Sequence, residues 1–406
     1  LPVRVKSLPE GIETRTNVPH MTFINTVKGF AWLTLFLETI VSSLAWKPAT
    51  SASIALQYKR NLVKYILKTD PANAFLIPFL AHDFSARGLD PWTMVSSGLG
   101  HATSFRGSDT LVVIPAARYF YGEPENEVVI NSVNASEHSV STTKIFTVGE
   151  KQMLIDWMTK FDKGILSVVM DTFDITKVAK PSEGGYCFDL KDQILSRDGK
   201  LVIRPDSGDP VEIICGHGRT DLNENEMRAF YPEFYTKGLI ECLWDIFGGT
   251  INTQGYKVLD PHIGAIYGDS ITTDRQVEIY DRLAAKGFAT TNIVLGVGSY
   301  TYQYNTRDTF GFAAKGAWFQ ANGVNYDIFK DPISDDGTKK SLKGLIAVHE
   351  LVDGDHAVEV QCSEEDEKGG ILQVIYEDGK FYNETTLTII RGKLEQLVSN
   401  QTPELV

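Results

Sequence analysis

The sequence predicts an α/β protein: a barrel of parallel strands plus a second, smaller unit of mixed α+β character. Three observations carry this expectation. Short apolar runs recur along the chain, each followed by a polar loop with Gly, Asp or Arg and then by a helical pattern. The runs are apolar at successive positions rather than alternating, as suits strands buried on both faces. The charged residues gather in the loops after the strands, where barrels of this class bind ligands. An open doubly wound sheet also binds ligands at strand C-termini and is the structural alternative.

The chain opens on Leu1-Pro-Val-Arg-Val-Lys-Ser-Leu-Pro-Glu-Gly11, without an initiator methionine, and reads as the middle of a sheet region. This predicts a chain that was processed or numbered without an upstream piece. Residues 29–46 form the one strongly apolar run. At about 18 residues it stands at the lower margin for crossing a bilayer. Thr34, Glu38, Ser42 and Ser43 interrupt it and Lys47-Pro48 closes it, so a buried helix is expected.

The strand-and-loop units follow in order. Phe75-Leu-Ile-Pro-Phe-Leu80 leads to His82-Asp-Phe-Ser-Ala-Arg-Gly88, and Ile165-Leu-Ser-Val-Val-Met170 to Asp171-Thr-Phe-Asp174. Leu201-Val-Ile203 leads to Arg204-Pro-Asp-Ser-Gly-Asp-Pro210. Ile263-Gly-Ala-Ile-Tyr267 leads to Gly268-Asp-Ser270, and Asn292-Ile-Val-Leu295 to Gly296-Val-Gly-Ser299. A helix after Ser270 is capped by Thr272 or Thr273, with Asp274 at its positive end; Val277, Tyr280 and Ala284 share a face, and Gly287 ends it. Residues 215–261 are polar, aromatic and irregular, and read as an insertion. From 341 to 391, runs such as Gly370-Ile-Leu-Gln-Val-Ile-Tyr376 and Leu387-Thr-Ile-Ile390 read as antiparallel strands of the smaller unit.

Composition narrows the function. A chain of 406 residues with 43% apolar and 22% charged residues buries a large core. A net charge of -13 argues against nucleic-acid or anionic-membrane partners, which need a basic face. Local Arg and Lys clusters still allow an anionic substrate. Four cysteines lie far apart with no C-x-x-C pair, which suits a reducing, cytoplasmic setting without zinc or disulfides. Asn134-Ala-Ser136 and Asn383-Glu-Thr385 match the glycosylation pattern and read as chance.

The loop after Leu201-Val-Ile203 is the richest in chemistry. It crowds Arg204, Asp206 and Asp209 into a turn stiffened by Pro205 and Pro210, as a site for a polyol, phosphates or a metal requires. Gly296-Val-Gly-Ser299 lets backbone N–H groups approach a phosphate, and Arg307 and Lys315 lie just downstream, yet such glycines often make only a tight turn. Asp269 suits ribose hydroxyls or a helix cap equally. Asp171 and Asp174 suit Mg²⁺ through water, with capping preferred for Asp174. His138, in Ala135-Ser-Glu-His-Ser139, is placed to be nucleophile, base or ligand, although most lone histidines are none of these. Phe84 and Arg87 put a stacking ring and a cation on one loop. Asp109 adds a carboxylate in Gly107-Ser-Asp-Thr110, which a plain turn explains equally well.

Taken in order, these pieces resemble the nicotinamide phosphoribosyltransferases of bacteria and phages. The strings are Leu8-Pro-Glu-Gly11, Trp32-Leu-Thr34 with Glu38-Thr-Ile40, His82-Asp-Phe84 with Arg87-Gly88, Gly107-Ser-Asp-Thr110, Glu137-His-Ser139, Ser167-Val-Val-Met-Asp171, Ile203-Arg-Pro-Asp-Ser-Gly208, Gly268-Asp269, Thr306-Arg-Asp308, Asn322-Gly323 and Phe329-Lys-Asp-Pro332. They span nearly the whole chain. The resemblance implies an irregular α/β barrel of the type II phosphoribosyltransferase kind. It implies a pentosyltransferase that joins nicotinamide to phosphoribosyl pyrophosphate with Mg²⁺, giving nicotinamide mononucleotide and pyrophosphate for NAD salvage. ATP would act through phosphorylation of His138. Catalysis would fall to His138, Asp171 and Asp206. Phe84, Asp109, Ser167 and Arg204 would hold the base, with Arg87 on the nucleotide phosphate and Asp206 and Asp269 on the ribose. Gly268, Gly298 and the loop to Ser299 would approach phosphate and sugar; Arg307, Lys339 and, more weakly, Lys315 would bind pyrophosphate or ATP.

The same resemblance divides the chain into 1–72, the remainder of an N-terminal α+β domain; 73–325, the barrel; and 326–406, a β-rich segment packing with the N-terminal domain. It implies a homodimer with sites at the subunit interface. Two departures stand out. The family's Gly-Ser-Gly-Gly loop is here Gly296-Val-Gly-Ser299. A family N-terminal segment of roughly a hundred residues, on typical domain sizes, has no counterpart in these residues. The rival readings are a nicotinate phosphoribosyltransferase and an inactive, truncated module that dimerises or binds nucleotide.

Overall fold

In a computed structural model describing residues 1–217, 233–268, 270–334, 340–352 and 354–401, with the backbone but not the side chain of Ser299, the chain forms two compact units. One comprises Leu1–Thr50, Ala116–Glu125 and Asn305–Gln396; the other comprises Ser51–Pro115, Asn126–Tyr304 and the chain from Leu397 on.

The second unit is built on six parallel strands. They are β1 (Ala81–Asp83), β2 (Asn134–Ala135), β3 (Leu166–Val169), β4 (Leu201–Arg204), β5 (Ile263–Tyr267) and β6 (Ile293–Val297). Their lateral order is β1-β6-β5-β4-β3-β2, so β2 to β6 follow one another in sequence and β1 lies beside β6. Parallel bridges from Asp83 to Ser108 and from Gly107 to Asn131 fill the place between β1 and β2. There the Asp83 N–H donates to the Gly107 carbonyl at 3.1 Å, and the Ser108 N–H to the Asn131 carbonyl at 3.1 Å. The sheet therefore returns to its own first strand. That is an irregular barrel and not a doubly wound sheet, whose strand order reverses at a switch point. β3, β4 and β5 are buried at every position, which accounts for their unbroken apolar runs.

Local signals held where capping chemistry was explicit. Thr272 caps the helix Thr273–Ala285, and Gly287 follows it with φ 75°. The buried face is Gln276, Ile279, Tyr280 and Leu283, so only Tyr280 of the expected stripe lies fully inside. Asp174 caps Ile175–Val178, as preferred for that residue.

Several expectations are corrected. Phe75 to Leu80 is not a strand: Pro71–Phe79 forms 3-10 turns and the strand begins at Ala81. Pro78 brings no N–H to a ladder, and Phe75 is exposed. Residues 29–46 are not a buried helix. They lead into the helix Leu33–Thr69, where Leu35, Phe36, Ile40 and Leu44 are exposed. Pro48 does not end it. Proline forfeits one backbone donor, and the turns beyond are anchored by buried Ala55, Tyr58, Leu62, Tyr65 and Ile66. Among the described residues, no helix is long and apolar enough to cross a membrane. Leu387-Thr-Ile-Ile390 is the start of the helix Leu387–Gln401, burying Leu387, Ile390 and Leu394. A four-residue apolar run carries too little periodicity to separate helix from strand. Within 215–261, Leu239–Phe247 is a core helix burying Leu239, Ile240, Cys242, Leu243, Ile246 and Phe247, so this part is no irregular insertion; 218–232 lies outside the described residues.

In the first unit, Val3–Ser7 pairs antiparallel with both Met21–Asn25 and Gln373–Glu377. The chain's opening thus stands inside a sheet, as its residues suggested. Ile346–Glu350 pairs antiparallel with His356–Val360.

Ile203 in β4 is fully buried, with β3 and β5 on either side. Ile203→Ala should cost roughly 2–5 kcal/mol, read from the urea unfolding midpoint; a loss under about 0.5 kcal/mol would remove this strand from the core.

Candidate active site

The site is assembled from strand tips. Arg204 ends β4, 5% exposed, because its strand is wholly interior. One of its nitrogens donates to Asp206 Oδ2 at 2.9 Å. Asp206 Oδ1 accepts from the Gly268 N–H at 3.1 Å, and the Asp206 N–H donates to Asp171 Oδ2 at 3.0 Å. One residue therefore ties together the ends of β3, β4 and β5. A Cβ on Gly268 would stand 2.5 Å from Asp206 Oδ1, so only glycine permits this contact. Asp209 does not join the cluster through these bonds. It caps the helix Pro210–Cys215, accepting from the Val211 and Glu212 N–H groups.

His138 enters from the next loop around the barrel. Ser136 sets its position: its N–H donates to the Ser167 carbonyl at 2.9 Å, and its Oγ accepts from the Val169 N–H at 3.0 Å. The helix His138–Val148 starts two residues later. His138 Nε2 stands 3.8 Å from Asp171 Oδ1 and 3.7 Å from Asp206 Oδ2. Burial raises the Asp206 pKa against the pull of Arg204 and His138, and Asp171 adds to the rise. Asp171 Oδ1 and Arg204 Nε are buried without a hydrogen-bond partner. Buried polar atoms are rarely left so, and both of these belong to the same cluster.

The opposite side of the site is built on β1. Buried Asp83 accepts from the Ser85 N–H at 2.8 Å and from Thr110 Oγ at 2.7 Å, pinning the loops that carry Phe84 and Asp109. The Phe84 ring lies 4.6 Å from the Arg204 guanidinium and 4.7 Å from the His82 ring. A Cβ on Gly296 would stand 2.7 Å from that ring. Asp109 Oδ1 accepts from Ser132 Oγ at 2.6 Å and pairs with His82 Nε2 at 2.9 Å. Burial opposes its ionisation, but His82, Ser132 and Arg204 together hold its pKa below the ordinary carboxylate value. Arg87 pairs with Glu137 Oε2 at 2.8 Å, and Glu137 Oε1 lies 4.0 Å from Arg204.

The sequence profile of the Nicotinate phosphoribosyltransferase (NAPRTase) family matches residues 79–379. This chain belongs to that family. The Nicotinamide phosphoribosyltransferase of Acinetobacter baylyi is 42% identical over 408 residues, covering 98% of this chain and 76% of the relative. That of Xanthomonas campestris is 29% identical over 400 residues, covering 97% and 78%. That of Mycoplasma pneumoniae is 34% identical over 350 residues, covering 85% and 70%. The crystal structure of human nicotinic acid phosphoribosyltransferase aligns with all of this chain and 78% of its own, at a TM-score of 0.44 and 12% identity.

Phe84, Arg87, Asp109, His138, Asp171, Arg204, Asp206 and Gly268 thus form one connected set in this family member. Ser167 lies inside β3, 5% exposed, and its backbone carbonyl anchors Ser136. The Gly298 carbonyl accepts from the Thr301 and Tyr302 N–H groups, starting the turn Ser299–Gln303. Arg307 and Lys315 belong to the other compact unit; Arg307 is exposed and pairs with Asp308 at 3.2 Å. Asp269 and Lys339 lie outside the described residues. Sequence reasoning overlooked His82, Asp83, Ser132 and Glu137. Two of these immediately precede Phe84, so their chain position was a usable signal.

Glu150 was also overlooked. It is 7% exposed, and its Oε1 has no hydrogen-bond partner. Burial, then repulsion from Asp174 and Asp171 against Lys177, pushes its carboxyl from 4.5 to about 7. The folded chain therefore keeps a proton that the unfolded chain loses between those values, so this group's contribution to stability declines as pH rises through that window. Glu150→Gln should be more stable than the parent at about pH 8, by roughly 1–3 kcal/mol. The gap should close below pH 4.5. Equal urea stability of the two proteins at both ends would refute the assignment.

Proposed function

We propose that this protein is a nicotinamide phosphoribosyltransferase, forming nicotinamide mononucleotide and pyrophosphate from nicotinamide and phosphoribosyl pyrophosphate. The relatives' names support the reaction. One observation supports the choice of base: an ionised Asp109 in the same contact set as Phe84 and Arg204. A carboxylate accepts from a carboxamide N–H₂ and repels a second carboxylate, so nicotinate is disfavoured.

In this reading, the pyridine ring packs on Phe84, Arg204 donates to the amide oxygen and Asp109 accepts from the amide nitrogen. The pyridine nitrogen attacks the anomeric carbon, the N–C bond forms, and the C–O bond to pyrophosphate breaks with its electron pair. No proton has to move. Positive charge builds on the sugar, and in this reading Asp206 and Asp171 stabilise it. Arg87 gives up Glu137 for the nucleotide phosphate.

Among the described residues no group of three or more His, Cys, Asp or Glu side chains gathers to hold a metal. Mg²⁺ usually keeps several waters and binds through one or two carboxylates plus substrate phosphates. The unpartnered Asp171 Oδ1 beside Asp206 fits an ion of that kind, whose chemistry is to neutralise the leaving pyrophosphate.

ATP stimulation would run through His138. The γ-phosphoryl moves to a ring nitrogen, ADP leaves, and water later cleaves the N–P bond. The reading also includes a cytoplasmic homodimer.

Turnover of nicotinamide with phosphoribosyl pyrophosphate and Mg²⁺ tests the proposal directly. Asp109→Asn should raise the kcat/KM for nicotinate relative to nicotinamide about tenfold or more, since like-charge repulsion costs several kcal/mol; an unchanged base preference would contradict the assignment. His138→Ala should keep basal synthesis and lose ATP stimulation. Equal stimulation in variant and parent would exclude the phosphohistidine.

A further inference from the structure

Asp109 is held unevenly. Both hydrogen bonds described for its carboxylate fall on Oδ1, from Ser132 Oγ at 2.6 Å and with His82 Nε2 at 2.9 Å. An ionised carboxylate only accepts, so the proton of that second bond sits on His82 Nε2. A carboxylate so anchored cannot turn to exchange its oxygens, and Oδ2 is the one left for a ligand. His82 is itself immobilised. It is 9% exposed, and its ring leans on Phe84 at 4.7 Å. Its Nδ1 would lie 3.1 Å from a Cβ built at Gly107, a close contact. One imidazole therefore touches both the stacking ring and the carboxylate that reads the base.

We infer that His82 is a specificity-determining positioning residue, which locks Asp109 with Oδ2 toward the base and so enforces the choice of carboxamide over carboxylate. The inference rests on the functional reading above. With Oδ1 anchored, the amide N–H₂ meets a preset acceptor. A nicotinate carboxylate meets a fixed negative oxygen that cannot rotate away. Releasing Oδ1 lets the carboxylate swing, which weakens nicotinamide recognition and relieves the repulsion of nicotinate together.

The test compares His82→Leu, which removes the donor, with His82→Gln, whose amide nitrogen restores an N–H near the imidazole Nε2 position. Both bases are assayed at saturating phosphoribosyl pyrophosphate. His82→Leu should lower the nicotinamide-to-nicotinate ratio of kcat/KM about tenfold, the scale of a lost hydrogen bond to a charged group. The KM for nicotinamide should rise while that for phosphoribosyl pyrophosphate stays within about twofold, and His82→Gln should recover most of the ratio. His82→Phe, which removes the donor and keeps an aromatic ring beside Phe84, should shift the ratio as His82→Leu does and decides the matter if His82→Leu does not fold; Ser132→Ala, which leaves the His82 anchor on Oδ1, should move the ratio less. A parent that selects nicotinamide while His82→Leu, or His82→Phe in its place, selects it equally overturns the role of the anchor alone. A parent that turns over no nicotinamide overturns the functional reading, and this inference with it.

Discussion

The carboxylate of Asp206 is the contact on which the site depends. It receives the guanidinium of its own strand and the backbone N–H of the next, while its own N–H reaches back to the strand before. Three strand ends are thereby held in register by groups that also line the candidate site. The arrangement needs a bare backbone at Gly268, since any side chain there would collide with the carboxylate. The geometry of the candidate site and that of the barrel rest on the same set of bonds.

Around this contact the charges are matched rather than merely gathered. Asp171 and Asp206 share the neighbourhood of one imidazole, and Arg204 stands between Asp206 and Glu137. In a poorly solvated site each interaction is stronger than it would be in water, and each unpaired group costs more. The raised Asp206 and the depressed Asp109 express that difference: one acid is buried with another acid nearby, the other is surrounded by donors. An acidic protein thus keeps a local set of cations for anionic substrates, which net charge alone would not suggest.

Strand order explains why distant chain segments meet. Because the barrel strands all run parallel, their C-terminal ends and the loops that follow open on the same rim. Phe84, His138, Asp171, Arg204 and Gly268 come from the C-terminal ends of five successive strands or the loops just after them, and their contacts run between neighbouring or facing strand ends. The segment Gly107–Ser108 completes the ring and brings Asp109 with it.

The residues themselves settled the strand-loop-helix rhythm, the buried character of β3 to β5 and the caps at Thr272 and Asp174, because these depend on neighbours within a few positions. The same local signals left Asp209 looking like a site residue when it caps a helix, Leu387 to Ile390 looking like a strand, and residues 29–46 looking like a buried helix. Only the tertiary structure decided which carboxylates face one another, that Asp206 and not Asp209 belongs to the cluster, and that His82 and Ser132 hold Asp109. Side-chain pairing across loops depends on where strands sit around a ring, and a linear pattern of apolar and polar residues carries no record of that distance.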